Sequence, residues 1–385
     1  MAEELSEPSR NESRSTASER MPALAFSRLA SADFSGSRFK SKRLIMVTLA
    51  FVAVLAAILG FSTHRASICT VRAGAELLCS RRGFMLASII KSVLWISVVT
   101  IPFFVVSKTS PLPGGAWQLS VMTTIGGFVF GFGAAMNGAC VYSTMARLVD
   151  GEVAMAVTIA GFGVGIWVFG MLVDATWLSR PSPDLPRLGN LSGAVPAAIL
   201  TAFASYEAVR LWRTRPSGRS VSELILVPQY RLSTAAMLIG LAAGLIYLVY
   251  GPSGYASTAQ QGIEALFGRQ AAPEFERWLL VAAAMAGMLL STLQRGSFRL
   301  DWKPRPGWLM NLCGGTLMGF GVALTHGGND SLVLYAIPIL SPHALPAYAA
   351  LALGVVAGLL AIRSLIGVET RAECRNDLYF SGTVR

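Results

Sequence analysis

Charge is scarce in this chain: Asp, Glu, Lys and Arg make up 14% of 385 residues, against 53% hydrophobic residues and a mean hydropathy of +0.55. That balance excludes an ordinary soluble domain and makes the bilayer the expected solvent. Histidine is scarcer still, with three residues, and no two of the five cysteines stand in Cys-x-x-Cys spacing. Neither a structural zinc site nor a thioredoxin-like redox motif is therefore expected, and no metal, cofactor or enzymatic role is read from the sequence. The formal net charge is +11, but no basic face interleaved with aromatics is present, so nucleic acid is not an expected partner. The first forty or so residues ("SEPSRNESRSTASER") lack the compact apolar region of a signal peptide and have too little apolar surface to fold alone.

What the chain has in quantity is long apolar stretches, and nine are near the length that crosses the roughly 30 Å hydrocarbon core. They are Leu44–Phe61, Phe84–Val106, Trp117–Ala135, Val153–Ala175, Ala194–Trp212, Leu232–Tyr250, Trp278–Leu293, Trp308–Thr325 and Leu345–Ile366. The fifth, with Tyr206 and Glu207 inside it, is the weakest. Basic clusters follow the first, fifth, seventh and ninth stretches: Arg65, Arg72, Arg81 and Arg82; Arg210, Arg213, Arg215 and Arg219; Arg295, Arg299, Lys303 and Arg305; Arg363, Arg371 and Arg375. Positive-inside counting places the C-terminus in the cytoplasm, although Arg38, Lys40, Lys42 and Arg43 count against it. The expected location is a bacterial inner membrane, crossed many times.

The chain also repeats itself without gaps. The offset that carries Gly126, Gly127, Gly131 and Gly133 onto Gly314, Gly315, Gly319 and Gly321 also carries "CTVRAGAELLCSR" (Cys69–Arg81) onto "STAQQGIEALFGR" (Ser257–Arg269). Five stretches separate the starts of the two copies, an odd number, so the copies are expected to cross in opposite senses. The expected fold is an all-α integral membrane protein of about nine transmembrane helices, in two inverted repeats with short re-entrant or broken helices. Its expected divisions are a disordered tail (1–43), a first repeat (44–215), a basic linker (216–231), a second repeat (232–368) and a C-terminal tail (369–385).

Folds of this kind place substrate near the midplane, where discontinuous helices turn free N–H groups toward an anion. Each half has two candidate interruptions, at Thr63–Arg82 and Asn137–Arg147 in the first and at Gly251–Arg269 and His326–Leu340 in the second. The glycines alone need serve only close helix packing. Asn137 and Gly138 form a helix-ending dipeptide that leaves Cys140 at a break, and the recurrence of that break in the second half favours a site. Cys79 and Cys313 are read as small buried hydrophobes and Cys374 as a tail residue. Cys69 and Cys140 differ because each lies at an interruption, where a thiol offers a weak donor to a soft anion. Glu76 and Arg81, repeated as Glu264 and Arg269, either pair with each other or find partners elsewhere. Arg147 and Asp150 read as a capped helix end.

"GGFVFGFGAAMNGAC" followed by "STMARLVDG", its partner "GGTLMGFGVALTHGGND", and a cysteine after the first stretch together resemble the YeeE/YedE family of sulfur-compound transporters. The resemblance runs from about Leu44 to Ile366. It implies an hourglass-shaped bundle of inverted repeats taking up thiosulfate or a related sulfur anion past central cysteines, with Cys69 and Cys140 matching two of them. With the residues at the interruptions, the expected binding set is Cys69, Cys140, Asn137, Gly138, Ser257, Thr258, His326, Gly327, Gly328 and Asn329. The second half departs from the family pattern, with Gly327-Gly328-Asn329 where Gly-Cys-Asn is usual and Ser257 opposite Cys69. Thiosulfate and a more oxygen-rich anion such as sulfite or an organosulfonate both remain open, and a thiol at position 328 should favour the former. An alternative from another class is a membrane sulfur relay, passing a persulfide on Cys69 or Cys140 to a cytosolic sulfur-carrier protein.

Overall fold

The structure, a computed structural model, describes residues 35–107, 115–175, 183, 194–214, 223, 227–303, 307–367, 369–375 and 377–384. Most of the expected N-terminal tail and the centre of the expected linker, with Arg215 and Arg219, lie outside the described residues. The chain divides into two units, Met1–Ala50 and Phe51–Arg385. In the first, the described residues are the opening turns of helix α1 (Ser35–Ala66), and everything below concerns the second.

After α1 come a short α2 (Thr70–Ser80), α3 (Phe84–Ser107), α4 (Val121–Asn137), a short α5 (Val141–Val149), α6 (Ala154–Ala175) and α7 (Ala194–Arg213). A second series follows: α8 (Leu232–Tyr250), a short α9 (Tyr255–Leu266), α10 (Phe275–Arg295), α11 (Gly307–Thr325), α12 (Asn329–Ser331) and α13 (Ala344–Ile366). α12 runs on as a π-helix over Leu332–Ala336. Element for element, α8 to α13 repeat α1 to α6. Among the described helices, α7 has no counterpart.

Among the described residues, eight helices are long and apolar enough to cross a membrane, so this is a multi-pass membrane protein. The expected fifth stretch is the helix outside those eight, because α7 carries Glu207, Arg210 and Arg213. Its buried Glu207 is neutralised by Lys91 Nζ at 2.5 Å and Arg210 Nε at 3.0 Å. With Trp95 also stacked edge-on against Phe203 at 5.9 Å, α7 runs antiparallel to α3 along its face.

The repeats are inverted. Tyr230 N–H donates to the Arg65 carbonyl (3.3 Å), and Ser88 Oγ donates to the Leu232 carbonyl (2.9 Å). α8 therefore begins at the level where its mate α1 ends. The glycine-rich mates α4 and α11 pack directly against each other and antiparallel. A Cβ at Gly133 would lie 2.7 Å from the Gly314 carbonyl oxygen, and one at Gly321 would lie 2.6 Å from that of Gly126. The remaining glycines face outward from this pair in the same symmetric way: Gly127 and Gly131 meet the backbone of α13 at Ala347 and Leu351, and Gly315 and Gly319 meet that of α6 at Thr158 and Phe162. Helix association in lipid rests on such close backbone approach, since apolar burial between helices gains little there. Cysteines introduced as Arg81→Cys and Arg269→Cys, with the exposed Cys79 and Cys313 replaced, are expected to label from opposite faces of the membrane. Labelling of both from one face would overturn the inversion.

The residues after Ile366, expected as a tail, pair as an antiparallel hairpin of β1 (Glu369–Arg375) and β2 (Leu378–Val384). It is tied to the start of α8, where the Asp377 carboxylate accepts from Ser233 N–H (3.2 Å) and Ser233 Oγ (3.1 Å). It also lies against α2, where the Arg72 guanidinium sits over the Tyr379 ring at 4.9 Å. Cys374 is consequently buried rather than free in a tail; burial, and then the neighbouring Glu76 carboxylate, push its thiol up to about 12. Cys79 and Cys313 correct the expectation the other way, being exposed on the protein surface rather than buried in packing.

Candidate functional site

Four short helices, two from each half, begin at or beside residues that line a run of cavities. Cys69 is the N-cap of α2 and Cys140 that of α5, both in extended backbone and neither using its side chain as a cap. Both thiols are therefore available to other partners. The two thiols are neighbours, and Ser143 in the first turn of α5 lies beside both. In the second half the N-caps are Gly254 for α9 and Gly328 for α12. The repeat offset places Ser257 opposite Cys69, but α9 starts three residues earlier than the offset requires. Ser257 sits in the first turn, its Oγ donating back to the Gly254 carbonyl at 3.1 Å.

The helix breaks have identifiable causes. α4 ends because Gly138 adopts φ +69°, where its N–H closes onto the Ala134 and Ala135 carbonyls. In the second half the same place is held by His326, a non-glycine residue at φ +54°. Its ring packs at a tilt against Trp117 with centroids 4.2 Å apart.

Three cavities follow one another through this region, each with Tyr142 in its lining. The central one, about 50 Å³, is walled by Cys69, Thr70, Cys140, Asn329 and Asp330. That is room for a few waters or one small anion. On one side lies an aromatic cavity with Tyr247, Tyr255, Tyr335 and a single cation, Arg277. On the other lies a smaller polar cavity bearing Arg72, Arg147 and Arg295 together with His64 and Asp150. This basic mouth is braced: His64 Nε2 lies 3.2 Å from Asp150 Oδ1, and Thr292 Oγ1 and Ser297 Oγ donate to the same oxygen at 2.9 Å. Burial pushes the Asp150 carboxyl up, but the hydrogen bond from His64, its charge, and the two hydroxyls outweigh it and hold the group below the ordinary carboxylate value. Arg147 pairs with Glu152 at 2.5 Å. Like-signed charge at the mouth of a narrow passage concentrates anions there.

The structure sorts the residues expected from the sequence. Cys69, Cys140 and Asn329 line the central cavity, and Gly328 caps the helix behind it. Thr258 lines the aromatic cavity, with its Oγ1 already given to the Gly254 carbonyl at 2.7 Å. Asn137 is buried and spent as a brace: its Nδ2 donates to the Ala139 carbonyl (3.0 Å) and Thr144 Oγ1 (2.9 Å), and its Oδ1 accepts from Thr158 Oγ1 (2.6 Å). Gly327 accepts a 2.7 Å hydrogen bond from Thr325 Oγ1 at its carbonyl. Gly138, Gly327 and His326 serve the breaks and do not line the central cavity. Glu76 finds its partners on another element. Its carboxylate takes the first N–H groups of α3, Phe84 at 3.2 Å and Met85 at 2.8 Å, while its mate Glu264 accepts from Gln260 and Gln270.

Asp330, Ser143, Tyr142 and Thr70 were absent from the expected set. Asp330 had a legible signal, since an ionisable residue inside a membrane segment is a functional candidate by default. The others had none, because hydroxyl residues are common in membrane helices. Among the described residues, no group of three or more His, Cys, Asp or Glu side chains is placed to hold a metal.

Position 328 has no spare volume. A Cβ there would lie 2.8 Å from Ala256 Cβ and 2.8 Å from Asp330 Oδ1. The expectation that a thiol at 328 favours thiosulfate therefore meets a steric objection. Gly328→Ala and Gly328→Cys are both expected to lower uptake of every sulfur anion alike, and selective gain of thiosulfate uptake by the cysteine variant would show that the segment can yield.

The family model for sulphur transport matches residues 65–357, most of the chain and both repeats. No curated protein matches it.

Proposed function

Because the chain belongs to the YeeE/YedE sulphur transport family, we propose that it takes up a small sulfur oxyanion through the three cavities, handing it past Cys69 and Cys140 at the midplane. Membership makes it a transporter of sulfur compounds; the substrate, route and direction are the content of the proposal. The carrying observation is that two N-cap thiols, neither used as a cap, line the cavity between a basic mouth and an aromatic one. A bare helix start in a dry site favours negative charge. A thiol beside it adds a weak donor that costs little to bury when empty and releases its guest readily.

Direction follows from charge. The basic mouth with Arg72, Arg147 and Arg295, and with it the C-terminal hairpin, is assigned to the cytoplasmic side of a bacterial inner membrane by positive-inside counting. An anion entering past Arg277 would then be drawn onward by the denser charge within. Thiosulfate and sulfite both suit the cavity. A persulfide relay to a cytosolic carrier is less well supported, since burial of both thiols keeps a large partner from the sulfur.

The test is uptake of labelled thiosulfate, sulfite and sulfate into vesicles holding the purified protein. Saturable entry of thiosulfate or sulfite, above that of empty vesicles and exceeding sulfate, is expected. Entry of none of the three would refute the proposal.

A further inference from the structure

The central cavity has a feature at odds with an anion path: the Asp330 side chain, 2% exposed, in its wall. Its Oδ2 accepts the Ala256 N–H at 3.0 Å, so a carboxylate already fills the seat at the start of α9 that free N–H groups would offer an anion. In the first repeat the corresponding residue is Tyr142. Among the described residues no Lys, Arg or His nitrogen comes within ion-pair distance of Asp330. The titratable groups facing it are Tyr142 from α5, Tyr255 from α9, Tyr335 on its own segment, and the Cys69 and Cys140 thiols across the cavity. Arg277, which acts on Tyr335, belongs to the adjoining aromatic cavity. A second observation lies beside it: Asn329 Oδ1, in the same wall and 7% exposed by residue, has no hydrogen-bond partner among the described residues.

An ionised Asp330 about 4–6 Å from a monovalent anion lowers that anion's occupancy about a hundred- to thousandfold at an effective dielectric of about 20. A protonated Asp330 removes that repulsion and becomes a donor, and Asn329 Oδ1 is a waiting acceptor for a carboxyl or water proton. Resting on the proposed transport of a sulfur anion, we infer that Asp330 couples uptake to protons: it gains a proton from the outer side before an anion occupies the central cavity and releases it to the inner side after the anion leaves. One proton then enters with each anion, and a dianion moves with one net negative charge in place of two. In the empty transporter the ionised carboxylate, held by Ala256 N–H, keeps the seat closed to anions.

The experiment uses the full chain in vesicles loaded with a pH-sensitive dye, with labelled thiosulfate and labelled sulfite as probes. For the wild type, a tenfold inward proton gradient is expected to raise steady-state accumulation about tenfold for one coupled proton, and addition of the probe is expected to acidify the lumen. Asp330→Asn, whatever its rate, is expected to respond to neither, and Asp330→Glu is expected to keep the gradient response. Equal wild-type accumulation with and without the gradient, or an Asp330→Asn protein that still acidifies the lumen, overturns the inference while leaving transport standing. Failure of the wild type to take up any probe under either condition refutes the transport proposal itself, and the inference falls with it. The lumen-pH reading on wild type decides the matter even where Asp330→Asn does not fold.

Discussion

Cys140→Ala is expected to abolish most uptake, whereas Cys69→Ser keeps a measurable part of it. Cys140 caps α5 at the cavity wall, and its thiol lies beside Cys69 and Ser143. Alanine removes a donor to the anion and, with it, the polar neighbour of the Cys69 thiol. Each hydrogen bond to a passing anion nets about 0.5–1.5 kcal/mol, so two losses together amount to a factor of about five to 150 in transit. Serine at 69 still donates, but it competes with itself: at an N-cap a hydroxyl is drawn to the N–H groups of its own helix, which the thiol of Cys69 leaves alone. Partial uptake is the consequence. Uptake rates for the two variants in vesicles, with surface amounts matched, check this. A covalent relay predicts another pattern, in which Cys69→Ser is as inactive as Cys69→Ala and mass spectrometry finds a sulfur adduct on the wild type.

Gly131→Ala is expected to destabilise the fold, against the ordinary preference of helices for alanine. In an exposed helix interior that exchange gains about 1 kcal/mol. At Gly131 the new methyl would fall inside the van der Waals envelope of the Leu351 carbonyl and 2.9 Å from Val355 N, both backbone atoms of α13 that no side-chain rotation can move. Overpacking of this sort costs about 1–3 kcal/mol, and the mate substitution Gly319→Ala meets the Phe162 backbone of α6 in the same way. Gly307→Ala is the control, because nothing lies within 4 Å of a Cβ there. Thermal loss of the monodisperse peak in detergent should come several degrees earlier for Gly131→Ala and Gly319→Ala than for wild type, and no earlier for Gly307→Ala. Equal thermal behaviour of all three would mean that the helices can separate at no cost.

The amino-acid sequence by itself determined the solvent, the repeat and the sense of the repeat. Composition excludes a water-soluble core, the glycine offset is a pattern of identities that needs no coordinates, and parity of crossings follows from counting. It also marked Cys140, because a cysteine just after Asn-Gly at the end of an apolar run stands at a break whatever the run packs against, and Cys69, because it falls in the polar interruption after the first apolar stretch. What surrounds those thiols was decided by tertiary structure. An offset assigns residue to residue, but a helix begins where its first N–H groups find partners, and the Asp330 carboxylate on Ala256 N–H draws the start of α9 back to Gly254 and away from Ser257. Asn137 has the chemistry of a ligand, yet Thr144 and Thr158 arrive from other helices and consume it. The Cys374 tail becomes a hairpin only because Ser233, Arg72 and Glu76 are there to hold it. In each case the deciding partner is distant in sequence and close in space, and a hydrogen bond or a contact made that way leaves no periodic trace along the chain.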